Sequence, residues 1–540
     1  MKMREHIRKK KKKKFSNMYK SSLQLIAVGS VTGIFSGAVI TFFTILAHEG
    51  EEISRNAYAY VRANPAFIPL LLLALLAGAF LISVAVAFSS VIRGCGIPQA
   101  EGATRGSIRL QWWKDAVAMF TSSLIGIFMG LSVGAEGPSV LIGACVGDGV
   151  AKGLHRNEMI RRYQVTGGAC VGLAVASNAP LTGIVFAVEE AHKRFTPEVF
   201  VCAFSSVIFG MLTRSVIYSL LGMQIESSFH SYVFQELPFS TYGFVVLAGI
   251  ICGWIGIAFH KMVFVLRGLF KKVRHKNSHI KRGLRIMIVV LIGGALALVA
   301  EGIMGGGHGL IESLGTYGGT AEPTTTVFGV SLVWTLMIVL ALKFIVTGIN
   351  VGAGLPCGIF IPIIAMGACV GSLLNHLWGW LGLEKAYYDL MVMICLAALF
   401  ATLIRAPITA IIMICEFTGS FAYLLPVIIA VSIGYTIGET FRTDGIYEDL
   451  LEVYEQENGI HENAVREVFV IPLRRGAIAD KREVRDVLWP AGARVKEIRR
   501  GEETILPDGD TILHDGDVLT IVCKTDSPQK AKDDLLHILE

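Results

Sequence analysis

Apolar positions fill long unbroken stretches of this chain, where a soluble protein would alternate them with polar ones. Runs long enough to cross a bilayer as a helix, which takes about 20 residues, occur at LQLIAVGSVTGIFSGAVITFFTIL, FIPLLLLALLAGAFLISVAVAFSSVI, TYGFVVLAGIICGWIGIAFHKMVFVL, GLRIMIVVLIGGALALVA and VFGVSLVWTLMIVLALKFIVTGI. Shorter apolar pieces between them are broken by Gly, Pro or a charge. Hydrophobicity collapses after about residue 440, and from Val465 onward the pattern is that of a small soluble α/β domain. There REVFVIPL, ARVKEIRR, ETILPD and DVLTIVC read as strands, with turns at Pro507-Asp508-Gly509 and Asp515-Gly516-Asp517, while KREVRDVL and SPQKAKDDLLHIL read as helices. IYEDLLEVYEQENG is predicted to join this tail to the membrane part as a helix.

Composition agrees with the pattern. Of 540 residues 53% are hydrophobic and 17% charged, and the mean hydropathy is +0.58, which excludes an ordinary soluble protein. The expected fold is an all-α polytopic membrane domain over residues 21–455, preceded by a basic tail at 1–20 and followed by a cytoplasmic α/β domain at 463–540. The first apolar run is too long for a signal peptide and lacks a small-residue cleavage site, so it reads as a membrane helix. Positive charge marks the cytoplasmic side, which places there MKMREHIRKKKKKKFSNMYK, the loop FKKVRHKNSHIKR and both termini. Lys9 to Lys14 could also meet anionic lipid, although a plain topology signal explains them. The polylysine start, with no sorting or glycan feature, fits a prokaryotic inner membrane. The ten cysteines are scattered, without metal-ligand spacing, and read as packed thiols. No metal, cofactor or nucleic-acid partner is expected.

Two internal repeats stand at nearly the same offset: GACVGD recurs as GACVGS, and NAPLTGIVFAVEE as RAPITAIIMICEF. They argue for a duplicated membrane domain with halves at roughly 21–225 and 240–440. In secondary transporters such halves build the site at their interface from broken helices whose N-termini point inward. The residues leave open whether these halves are parallel or inverted.

One carboxylate stands out. GAEGPSV places Glu136 between two apolar runs, and an intramembrane charge is costly enough to mark a pathway. Gly134 and Gly137 allow close backbone approach, and Pro138 has no N–H to lose in the first turn of a helix over SVLIGACVG. The free amides and positive dipole end of that helix would bind an anion without any lysine or arginine, so Glu136 reads as a carboxylate competing with a mobile anion. GCGIPQAEG, with Gly94 and Pro98, and GLPCGIFIP, with Gly358 and Pro362, have the same helix-entry form, and SNAPLTG has it less clearly. Gly/Pro kinks in packed helices are the alternative for any one motif; the set favours an anion path.

At these residues the chain resembles the CLC family of chloride channels and chloride/proton antiporters, from about residue 20 to 455. GCGIP is similar to the family's GSGIP, GAEGP to its GREGP and GIFIP to its GxFxP. The resemblance implies a homodimer with one pore per subunit and two halves of inverted topology. By motif position Glu136 matches the gating glutamate. Cys95 and Gly96, the amides of Ile359 and Phe360, and Tyr447 in GIYEDLLE match the anion site. Glu190 matches the glutamate that takes protons from the cytoplasmic side in the antiporters, where channels usually carry an apolar residue; its alternative is an ion pair with His192 or Lys193. Neighbouring Glu189 reads as structural. The implied function is chloride/proton antiport, with a passive channel for chloride or another anion as the alternative.

Two residues depart from the family. Cys95 stands where most chloride carriers have serine, and a thiol is a weaker, softer donor, so nitrate or fluoride enters as a possible cargo. Ala135 replaces the usual arginine beside Glu136, which lowers the local positive potential. The tail resembles the TrkA-C module of potassium-uptake regulators; this implies ligand-controlled dimerisation, with a purely structural dimerisation role as the alternative, and no ligand can be read. The chain carries no HExxH, GxSxG or paired-histidine pattern of an enzyme and no TVGYG-like filter of a potassium pathway.

Overall fold

Glycine and proline divide the apolar sequence into full spans and short broken helices. The computed structural model describes residues 2–540 except positions 157, 194, 225–231, 233, 273–278, 316–331, 442–443, 460–464, 491 and 526–527. The centre of the basic loop at 270–282 and the start of the fifth apolar run therefore lie outside the described residues, as do the side chains of the basic tail, Lys9 to Lys14 included. The first half of the membrane part consists of α1 (Lys2–Ala63), α2 (Ile68–Phe88), α3 (Ile97–Arg105), α4 (Trp112–Phe128), α5 (Glu136–Gly153), α6 (Glu158–Ser177), α7 (Pro180–Phe186) and α8 (Pro197–Leu221). The second half consists of α9 (Tyr242–Lys272), α10 (His279–Val299), α11 (His308–Leu314), α12 (Leu332–Ala353), α13 (Phe360–Gly379), α14 (Tyr388–Ile404), α15 (Pro407–Thr418) and α16 (Leu424–Thr440), and α17 (Ile446–Glu457) leads to the tail. Proline occupies the first turn of α2, α3, α7, α8 and α15, where its missing N–H costs no helical bond.

Among the described residues seven helices are long and apolar enough to cross a membrane. They are not equivalent. Only 28% of the α2 window is buried, against 94% of that in α14, so α2 turns leucines to the outer surface of the subunit while α13 and α14 are enclosed by protein.

The duplication extends to the packing. In the first half α5 packs on α6, α6 on α8, and α1 on α6 and α8; in the second, α13 packs on α14, α14 on α16, and α9 on α14 and α16. The short helices correspond too, since α3 lies on α5 as α11 lies on α13. At α7 and α15 the halves exchange caps. Glu416 accepts from Leu181 N at 2.7 Å, Thr182 N at 2.8 Å and Thr182 Oγ1 at 2.6 Å. Glu189, its equivalent in the repeat, accepts from Ile408 N at 2.8 Å, Thr409 N at 2.6 Å and Thr409 Oγ1 at 2.6 Å. Each helix start thus meets the other helix's end, so the pair is antiparallel and the halves are inverted here. Replacing either glutamate by alanine orphans two helix-end amides, and each variant should lose about 1–2 kcal/mol of stability. Thermal unfolding in detergent checks this: the two losses should match because the contacts do.

The tail forms an antiparallel sheet of β1 (Val465–Pro472), β2 (Ala493–Arg500), β3 (Glu503–Ile505) and β4 (Val518–Thr525) in the order β1-β4-β2-β3, covered by α18 (Pro528–Leu539). KREVRDVL is not the α-helix that its sequence suggested. Val484 N donates to Thr511 O and Arg485 N to Gly509 O, leaving one 3₁₀ turn at Val484–Asp486. The reason lies in its adjacent apolar pair: Val487 enters the tail core while Leu488 packs into the core of the membrane domain. An extended segment sends neighbouring side chains to opposite sides. The tail is fixed there by Arg482 Nη2 on Glu198 Oε1 at 2.7 Å and by Arg162 Nη1 donating to Trp489 O at 3.2 Å.

Candidate functional site

The three clearest glycine motifs of the sequence meet backbone to backbone. Gly134 N donates to Gly358 O at 2.9 Å and Gly358 N to Gly134 O at 3.1 Å, a two-bond bridge between the halves, and Cys357 N donates to Gly94 O at 3.2 Å. Only glycine permits such contact. A Cβ on Gly137 would stand 2.1 Å from Cys95 O, and one on Gly358 would stand 2.4 Å from Gly134 O.

This bridge brings the starts of α3, α5 and α13 together. The ladder of α13 begins with Ile363 N on Ile359 O, and that of α5 with Ser139 N on Ala135 O. The amides of Ile359, Phe360, Glu136 and Gly137 therefore lie ahead of any helical bond, next to prolines 138 and 362 that have none to offer. Pro98 does the same in α3. There, however, the Gly96 amide already donates to Gln99 Oε1 at 3.0 Å, and Gln99 Nε2 donates to Arg93 O at 2.7 Å. SNAPLTG does not join the group, because Glu416 takes its amides. Its glycine and proline read like the others, but the capping acid comes from the far half.

Cys95 and Tyr447 are both buried, and the Tyr447 hydroxyl has no hydrogen-bond partner within the described protein. A buried hydroxyl in that state is a donor available to a ligand. Tyr447 sits in the first turn of α17, which packs on α3, the helix that follows Cys95.

Glu136 is the first residue of α5 and is buried. Its Oε1 lies 3.2 Å from His308 Nε2 at the start of α11, and its Oε2 has no partner. Lys343, fully buried on α12, reaches Gly305 O at 3.4 Å in the same turn. Neither His308 nor Lys343 was picked out from the sequence. GGGHG reads as a glycine turn, and Lys343 as one charge in an apolar run.

Glu190 is buried in a π-helical turn at Ala187–Ala191, with its carboxyl against that of Glu101 on α3. Two carboxylates in contact repel when both are charged, and one shared proton removes the repulsion. Arg105 ties the turn down, donating to Glu101 Oε2 at 3.3 Å, Glu190 O at 3.2 Å and Ala191 O at 3.3 Å. His192 lies against Thr166 Oγ1 at 2.8 Å, and Lys193 donates to Glu448. Glu101 stands inside GCGIPQAEG, and only the fold reveals what it faces.

Residues 77–439 match the family model for the voltage gated chloride channel, and residues 468–535 match that for the TrkA-C domain. An H(+)/Cl(-) exchange transporter ClcA of Vibrio cholerae serotype O1 (strain M66-2) is 29% identical over 449 residues, covering 81% of this chain and 91% of that protein. One of Yersinia pestis bv. Antiqua (strain Angola) is 30% identical over 380 residues, covering 69% and 74%. Among solved structures, a slow cyanobacterial Cl-/H+ antiporter superposes with a TM-score of 0.69 at 22% identity, over 80% of this chain and 99% of that one. A CLC-type fluoride/proton antiporter does so with a TM-score of 0.59 at 20% identity, over 79% and 97%. At such identities the structures speak for the fold.

Proposed function

Because the chain belongs to the voltage gated chloride channel family, we propose that it exchanges chloride for protons across the membrane, with one path in each subunit of a homodimer. It is a multi-pass integral membrane protein and not an enzyme. The observation that carries the antiport reading is the pairing of two features in one core: helix starts that converge on the buried Glu136, and a buried acid pair, Glu101 and Glu190. A channel needs only the first. The names of the relatives, H(+)/Cl(-) exchange transporters, point the same way.

In this reading the anion rests on the amides of Ile359 and Phe360 and on the Tyr447 hydroxyl, with the Cys95 thiol beside it. Charged Glu136 competes for helix-start amides, and protonated Glu136 withdraws. Glu190 exchanges protons with the cytoplasm through the turn that Arg105 holds. Both termini lie on the cytoplasmic side of a prokaryotic inner membrane, with the basic tail of α1 next to lipid headgroups. A small ligand acting on the tail would be felt at the Arg162–Trp489 seam, one hydrogen bond from α3, since Arg162 Nε also donates to Thr104 O at 2.9 Å.

The test is proton uptake by the full chain in liposomes that carry a chloride gradient and no pH gradient. Uphill proton movement driven by chloride supports the exchanger, and chloride flux without protons means a channel. Repeating the assay with nitrate and fluoride ranks the anions that the Cys95 site accepts.

A further inference from the structure

We infer that His308 is the outer proton relay of this protein, the group that passes protons between the external vestibule and the Glu136 carboxyl. The inference deepens the antiport reading and rests on it. Of the two groups 3.2 Å apart, the Glu136 side chain is 1% exposed and the His308 side chain 42% exposed. Solvent therefore meets the imidazole first. A cavity of about 580 Å³ adjoins this turn; its lining includes Glu51, Arg55, Arg62, Glu301, Gly305 and Gly309, the last of which follows His308 in the chain, but not the imidazole itself. Residues 51–62 form the end of α1 remote from its basic tail, so with that tail in the cytoplasm, as proposed above, this vestibule opens on the external side.

An imidazole suits the task because it gains and loses a proton near neutral pH and has two nitrogens to do it with. Inward, the Nε2–H bond of the imidazolium breaks as the Oε1–H bond of Glu136 forms, and the imidazole remains neutral with its proton on Nδ1. A proton from vestibule water then restores the imidazolium. The reverse sequence delivers a proton outward.

The charged groups around the pair are otherwise fixed in the turn. Glu51 accepts from Gly306 N at 2.8 Å, Arg55 faces Gly309, Lys343 reaches Gly305 O, and Glu301 is bound to Arg62 at 2.9 Å. Glu312 lies one turn along α11, and α13 presents the apolar Ile361 and Ala365 to Gly306 and Gly307. Ala135 contributes no charge beside Glu136. His308 is the group in hydrogen-bond reach of the carboxylate whose charge can change. Its place in the duplication fits as well: α11 is the counterpart of α3, so one short glycine-entered helix lies at the anion site and its repeat closes on the gate.

Full-length protein carrying His308→Gln or His308→Ala tests this in oriented liposomes. Glutamine keeps a polar side chain of similar reach but carries no exchangeable charge. Chloride-driven proton flux should fall about a hundredfold, its dependence on external pH should flatten, and its dependence on internal pH should stay. Imidazole added to His308→Ala should restore proton flux. Proton and chloride flux that fall together, with an unchanged external pH profile and no rescue, would make His308 a packing residue and overturn the relay. Unaltered protein that moves chloride but no protons overturns the antiport reading and the relay together, whereas a coupled unaltered protein whose profile His308→Gln reproduces overturns the relay alone.

Discussion

Glu190→Gln should all but remove chloride-driven proton uptake and leave chloride flux measurable. The substitution preserves volume and polarity in a buried turn held by backbone contacts from Arg105, so the fold around it persists. It removes the one property that an amide lacks, the ability to take up and release a proton. The neighbouring Glu101 does not substitute, because its carboxyl is already tied to Arg105 and would face an uncharged amide. A fall in proton flux of about a hundredfold or more is expected, the scale that a positioned acid or base contributes. Proton uptake that survives at its original rate would make Glu190 a structural acid and leave the protein's coupling without an inner station.

Gly137→Ala should cost nearly all transport. The added Cβ would stand 2.1 Å from Cys95 O and 2.9 Å from the Gly358 Cα. Both neighbours are backbone, so no side chain can turn away, and relief requires parting the two halves at their bridge. Overpacking of this kind costs about 3 kcal/mol or more, and the chain should either fail to give a monodisperse peak in detergent or retain under a tenth of its anion flux. Gly153→Ala is the control, since nothing lies within 4 Å of its Cβ and alanine is the better helix former by about 1 kcal/mol. Equal behaviour of the two variants would mean that the glycine motifs do not make the close contact on which the site rests.

Much of this core was legible in the sequence because glycine and proline act locally. Gly134, Gly137, Pro138, Gly358 and Pro362 announce a close approach and a helix start in the same few letters, whatever lies beyond. The tail strands were legible for a similar reason, each being bounded by its own turns. What escaped depends on distant partners. Glu101 and Glu190 are joined through Arg105, 85 positions from Glu190, and no local pattern records that two acids face each other. SNAPLTG has the entry signature less clearly than the others, and an acid 234 or 235 positions away occupies it. KREVRDVL has helical composition, and its conformation is decided by two bodies competing for adjacent apolar residues.

The exchanged glutamates also impose an order on synthesis. When the ribosome has delivered the first half, the amides that open α7 lack their acceptor, since Glu416 comes 235 residues after Leu181. Glu189 at that moment has no α15 to cap. A nascent half-chain therefore holds both an unmet pair of donors and an unmet carboxylate, each less stable without its partner. Completion of translation supplies both counterparts at once, so neither half reaches its final set of helix caps without the other.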